Sequence, residues 1–229
     1  MINSSQKEFY KIAIDVVFIA FVFMPLISLF FASFLADAII VSLNQLFMLM
    51  LILAFATAKS SSNIKEILSE LFGLRLPNLT DIKYVIIAEI LILPVIILII
   101  FIEERLTENI GGISPPYFVT IFKESSYIGK LLLCFSAIVL APISEEIIFR
   151  QIIFNYFKEV LLLNSVFSCF ISATIFAIVH TEPAYMLAIF MLGIAFQVLA
   201  IQRKSIIASM MMHSLHNGLA ISALLLFKT

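Results

Sequence analysis

Charge is scarce in this chain of 229 residues: only 13% are Asp, Glu, Lys or Arg, against 62% hydrophobic, with a mean hydropathy of +1.15. Soluble domains carry about 25% charged residues and about 45–50% apolar ones. An apolar surplus of this size has no interior large enough to hide in. The composition therefore excludes a soluble enzyme and a disordered chain. The formal net charge is −1, so no basic field exists to hold a phosphate backbone, and nucleic acid is excluded as a partner. Tryptophan is absent, which leaves Tyr and Phe to form the interfacial belt of a membrane protein. The two cysteines, Cys134 and Cys169, lie in apolar runs and read as packing residues rather than as a disulfide. No internal repeat and no low-complexity tract is visible.

What the sequence has instead is long apolar runs. A helix needs roughly 20 apolar residues to cross the hydrocarbon core. Runs at about 12–35, 38–58, 84–102, 131–157, 163–181, 185–201 and 206–227 predict about seven membrane helices. Helices rather than strands are expected, because backbone groups in lipid must be satisfied within the segment. The expected fold class is thus all-α and polytopic. The first run is too long for a cleavable signal peptide and leads straight into the second.

Two long connections separate the runs. Residues 59–83 hold Lys59, Lys65, Arg75 and Lys83, with an amphipathic stretch at Ile64–Leu74 suited to the interface. Residues 103–127 hold four glutamates and the breakers Gly111-Gly112 and Pro115-Pro116. This second connection divides the chain into an N-terminal three-helix region, residues 1–127, and a C-terminal four-helix core, residues 128–229. With the N-terminus inside, ten of the fourteen Lys and Arg residues fall on the inner side, which predicts a cytoplasmic N-terminus.

Ionisable side chains at membrane depth are costly and point to function. Asp15 has Lys11 one turn before it and reads as an interfacial pair. Glu89 lies five residues into the third run and fits either a wet cavity or the interface. Richer is Ala141-Pro142-Ile143-Ser144-Glu145-Glu146, ending at Arg150. Pro142 can kink the helix and free carbonyls. Glu146 and Arg150 stand four apart in the favourable order for a helix ion pair. Glu145 lies about 100° round the wheel and is left without a cation, as suits a general base.

All three histidines, His180, His213 and His216, fall in the last 50 residues. His213 and Asn217 share a helix face. If the fourth and fifth runs turn at about 159–162, Glu145 and His180 stand at heights of roughly 23 and 29 Å. His213 stands at only roughly 13 Å from its own turn, more than one helical turn too low.

Glu145-Glu146-x-x-x-Arg150, Phe176-x-x-x-His180 and His213-x-x-x-Asn217, in that order, resemble the three-motif signature of the CPBP family. This family comprises the CAAX proteases and bacteriocin-processing enzymes, also called the Abi family. The resemblance covers about residues 128–227; the first 127 residues resemble no family. It implies an intramembrane endopeptidase in which Glu145 and His180 activate water. It further implies that His213 and Asn217 bind the oxyanion and that Arg150 supports Glu146. No role passes to His216. Carboxylate, imidazole and carboxamide do supply the base, proton carrier and oxyanion donors that peptide hydrolysis needs.

No cofactor is expected, the resemblance leaning to a metal-independent glutamate mechanism. The alternative is zinc held by Glu145, His180 and His213 with water in the open position, although no His-Glu-x-x-His motif is present. The competing class is an inert membrane scaffold or bacteriocin-immunity protein of the same fold, which the complete motifs disfavour. A transporter is less apt, because the polar residues cluster rather than line a path. Membrane lipid and a peptide or protein substrate are the expected partners. A short chain rich in Ile, Phe and Lys suggests a bacterial cell membrane, with peptide leaders, pheromones or bacteriocin-like peptides as substrates in place of prenylated ends.

Overall fold

The structure is a computed structural model that describes residues 4–33, 35–59, 73–107, 115–180 and 182–227. Among these residues it contains helices and no strand. α1 spans Ser4–Phe31, α2 Asp37–Lys59 and α3 Leu79–Thr107. A short α4, Tyr117–Glu124, precedes α5, Tyr127–Val160. α6 is Ser165–Val179, α7 Met186–Arg203 and α8 Ile206–Phe227.

Among the described residues each of the seven predicted runs falls on a helix: α1, α2, α3, α5, α6, α7 and α8. Among the described residues, α1, α2, α3, α5 and the stretch Pro183–Arg203 containing α7 are long and apolar enough to span a membrane. The protein is an all-α polytopic membrane protein. α6 is apolar but only 15 residues long. α8 has the length, with its apolar content diluted by His213, His216 and Asn217. The amphipathic stretch expected at Ile64–Leu74 lies, except for Gly73 and Leu74, outside the described residues, as do Gly111 and Gly112.

α4 falls inside what the sequence suggested was connection alone. Pro116 stands before its first residue, and Phe118, Ile121 and Phe122 repeat at helical spacing. Ile121 and Phe122 pack with Ala38 of α2 and Leu133 of α5 in a small apolar cluster. The main core joins α1, α2 and α3 to α5, α6, α7 and α8, with Phe149, Phe176, Phe196 and Met212 among its most deeply buried side chains. α6 and α7 approach closely at Gly193, where a Cβ would meet that of Ala173 at 3.1 Å.

α5 is not a uniform helix. It changes to π-type turns at Ser136–Leu140, Ile147–Ile153 and Tyr156–Val160. In the first of these the Ala141 N–H reaches the Ser136 carbonyl, five residues back. The next donor in that register would be Pro142, which has no N–H. The Ala137 carbonyl is thereby freed, as π turns and prolines free carbonyls elsewhere. That carbonyl accepts a 2.7 Å hydrogen bond from Nδ2 of Asn217 on α8.

Candidate active site

Glu145 and Glu146 lie at the end of the α-helical segment between two π segments, and the local geometry sends their carboxylates to different partners. Glu146 is fully buried. Its Oε2 accepts from Arg150 Nε at 3.0 Å and from the Ser209 hydroxyl. Its Oε1 is 3.0 Å from His213 Nδ1. The Arg150 guanidinium, itself buried, lies 4.7 Å from the Phe176 ring centroid and 5.6 Å from that of Phe196. The ion pair expected between Glu146 and Arg150 is present, and His213 has joined it.

Glu145 is held differently. Its Oε1 accepts from Gln45 Nε2 at 3.1 Å, and Gln45 Oε1 accepts from the Ser144 hydroxyl at 2.8 Å. Its Oε2 is buried without a hydrogen-bond partner. That free oxygen stands 3.8 Å from His180 Nε2 and 3.9 Å from His213 Nε2. An unsatisfied buried acceptor is expensive, so its place facing two imidazoles marks where a polar molecule fits.

The imidazole tautomers follow from their outer partners. His180 Nδ1 is 2.6 Å from the Phe176 carbonyl, which can only accept, so Nδ1 carries the proton. The neutral ring then presents the Nε2 lone pair to Glu145. His213 Nδ1 faces the Glu146 carboxylate and carries its proton for the same reason. Phe196 stacks on the His213 ring at 4.7 Å between centroids and holds its plane.

The apparent mismatch in the height of His213 has a structural explanation. Lys204 and Ser205, at the α7–α8 turn, line a small cavity with Gln151 and Asn155 of α5. α8 therefore begins roughly 7–13 Å inside the end of α5. That offset raises His213 to the level of Glu145. Glu145, His180, His213 and Asn217 all line one cavity of about 300 Å³ between α2, α4, α5 and α8. His216, which carried no role, points elsewhere: its Nδ1 is 2.9 Å from Oε1 of the buried Glu89. That pair joins α3 to α8, a helix-to-helix contact that the sequence reading of Glu89 did not include. Asp15 is exposed on α1.

Gln45 belongs to no motif, and the sequence reading missed it. Its only signal was a carboxamide eight residues inside an apolar run. Replacing Gln45 with Ala removes a hydrogen bond to a charged group, worth about 1.5–3 kcal/mol. The expected outcome is a loss of about 10–10² in kcat with unchanged protein level. Unchanged kcat would show that Glu145 is held without it.

Three oxygen and nitrogen donors around one point are also a zinc set, so the fit can be tested. Ligands at about 2.0–2.1 Å in tetrahedral array stand about 3.3 Å apart. The pairs here are 3.8 and 3.9 Å apart. Among the described residues no group of three His, Cys, Asp or Glu side chains is arranged to hold a metal ion.

Comparison with protein-family models matched residues 127–219 to the Rce1-like family of type II CAAX prenyl endopeptidases. The match runs from the start of α5 into α8 and contains Glu145, Glu146, Arg150, His180, His213 and Asn217. The resemblance carried by the three motifs is borne out over that region. No curated protein and no solved structure matched the chain.

Proposed function

We propose that the protein is an intramembrane endopeptidase that hydrolyses a peptide bond in a membrane-associated peptide or protein, with Glu145 and His180 activating the water. A membrane endopeptidase is what the matched family supports; the residue roles are the finer part. The observation that carries them is the orphan Oε2 of Glu145 facing His180 Nε2 at 3.8 Å. A water molecule reaches both acceptors at ordinary hydrogen-bond lengths of about 2.8 Å. It donates one O–H to each and keeps a lone pair for the scissile carbonyl carbon. Glu145 takes the proton on attack and returns it to the leaving amine.

The tetrahedral oxyanion needs donors. Asn217 uses one N–H on the Ala137 carbonyl and keeps a second for the cavity. His213, held by its Nδ1 on Glu146 at 3.0 Å, donates from Nε2 when both ring nitrogens carry a proton. Glu146, Arg150 and Ser209 are positioning residues behind His213. His213→Ala and Asn217→Ala are each expected to lower kcat by about 10²–10³ with little change in KM, as loss of an oxyanion donor does. A variant whose only defect is a raised KM would contradict the assignment.

The reading uses no metal ion. Purified protein is expected to keep its activity through prolonged chelation and to carry no stoichiometric zinc. Activity lost on chelation and restored by zinc would make Glu145, His180 and His213 ligands, with the metal supplying the hydroxide.

A further inference from the structure

The small cavity at the α7–α8 turn measures about 230 Å³ and lies where the turns after α5 and α7 come side by side. Lys158 lines it before the first turn and Ser165 after it; Lys204, Ser205 and Ile206 line it from the second. Arg150 and Gln197, both buried, complete its polar wall.

These two buried side chains are incompletely satisfied. Arg150 uses Nε on Glu146, while its Nη1 and Nη2 are buried without a hydrogen-bond partner among the described residues. The rings of Phe149, Phe176 and Phe196 attract the cation at 4.7–5.9 Å but offer its N–H groups no oxygen. Gln197 Oε1 is likewise buried without a partner. Orphans of this kind are costly, most of all on a charged group.

The field in the cavity is positive. Its ionisable lining is Arg150, Lys158 and Lys204, with no Asp or Glu among the described residues. Two helices also start at its wall, α6 at Ser165 and α8 at Ile206. A helix start carries partial positive charge and N–H groups that lack an intrahelical acceptor. Glu146 balances Arg150, and Glu159 stands 3.0 Å from Lys158. The charge of Lys204 and the two helix starts is left for a ligand.

We propose that this cavity is an anion site that takes a hydrogen phosphate group, free or as the headgroup of a phospholipid. Nη1 and Nη2 of Arg150 match two phosphate oxygens as a fork. Lys158 and Lys204 serve the outer oxygens, and the phosphate O–H donates to Gln197 Oε1. Sulfate has the same shape but no proton to donate at neutral pH. The volume exceeds that of a single water, about 30 Å³ in the liquid. Basic pockets between membrane helices suit lipid headgroups, and the helix ends set this one at headgroup level. The anion secures from behind the guanidinium that holds Glu146, and through Glu146 it steadies His213. The inference takes nothing from the peptidase reading.

The test measures binding to the purified full-length protein in neutral detergent, at neutral pH and constant ionic strength. Sodium phosphate is expected to raise the melting temperature to a plateau, as a ligand of the folded state does. Sodium sulfate controls for the stabilisation that both salts give by exclusion from the surface. Its midpoint should lie about tenfold above that of phosphate, for want of one hydrogen bond. Gln197→Leu should abolish that preference. Lys158→Gln combined with Lys204→Asn should raise the phosphate midpoint about tenfold. Asparagine suits the left-handed backbone at position 204, where φ is 50°.

Micelles doped with phosphatidic acid, compared with micelles doped with diacylglycerol, distinguish the two sources. If the headgroup is the ligand, phosphatidic acid raises the melting temperature and inorganic phosphate then adds nothing. If free phosphate is the ligand, only the dissolved ion raises it. Equal midpoints for sulfate and phosphate, or a phosphate midpoint unmoved in the double variant, overturn the proposal. So does the lack of a saturable rise from either source, which would leave water alone in the cavity. Should the double variant fail to accumulate, Lys204→Asn, at an exposed position, is read in its place. No cleavage is measured, so failure here and failure of the peptidase reading are separable.

Discussion

Replacement of Glu145 by glutamine is expected to lower cleavage by about 10²–10⁴, the contribution of a positioned general base, and so to abolish it in an ordinary assay. Glutamine keeps the shape of the side chain and an acceptor for Gln45 Nε2, so the bond now 3.1 Å long survives. What is lost is the proton affinity of the oxygen facing His180. The protein should still accumulate in the membrane at its normal level, because Glu145 belongs to no ion pair with Lys or Arg among the described residues; the side chains its Oε2 faces are the two histidines, at 3.8 and 3.9 Å. The measurements are turnover of a membrane-associated peptide and the amount of protein in the membrane fraction. Full activity in this variant would end the mechanism proposed here.

Arg150→Ala is expected to act on folding and turnover together. The side chain is buried, bonds Glu146 at 3.0 Å and lies over two aromatic rings. Its removal leaves Glu146 buried with only His213 and Ser209 as partners. Breaking a buried pair from one side costs about 3–5 kcal/mol, most of it the uncompensated charge. A lower protein level, a lower melting temperature and a loss of kcat should appear together, since Glu146 also orients His213. Replacing Glu146 and Arg150 together by apolar residues should restore part of the protein level, because no lone charge remains, and none of the activity. Normal abundance and melting in Arg150→Ala would remove the supporting role.

The two glutamates show how far a sequence reading reaches. Helical spacing alone paired Glu146 with Arg150 and left Glu145 without a Lys or Arg partner, and among the described residues both features are in the structure. Local periodicity suffices there because both partners sit on one helix, four residues apart. The height of His213 was misjudged for the opposite reason. It depends on how far the α7–α8 turn sits inside the end of α5, and nothing in either helix encodes that offset.

From the sequence by itself came the apolar runs, hence the helices, and the three motifs, hence the family-level chemistry. These are local properties: one helix satisfies its own backbone in lipid, and one motif lies within a few turns. Tertiary structure alone decided that Gln45, a hundred residues from Glu145, holds its carboxylate, and that Asn217 takes the carbonyl Pro142 leaves free. It also decided that His216 turns to Glu89 while His213 turns to Glu146. Each of these rests on which helix faces which, and in a chain that is apolar all round, hydrophobic periodicity has too little contrast to specify it.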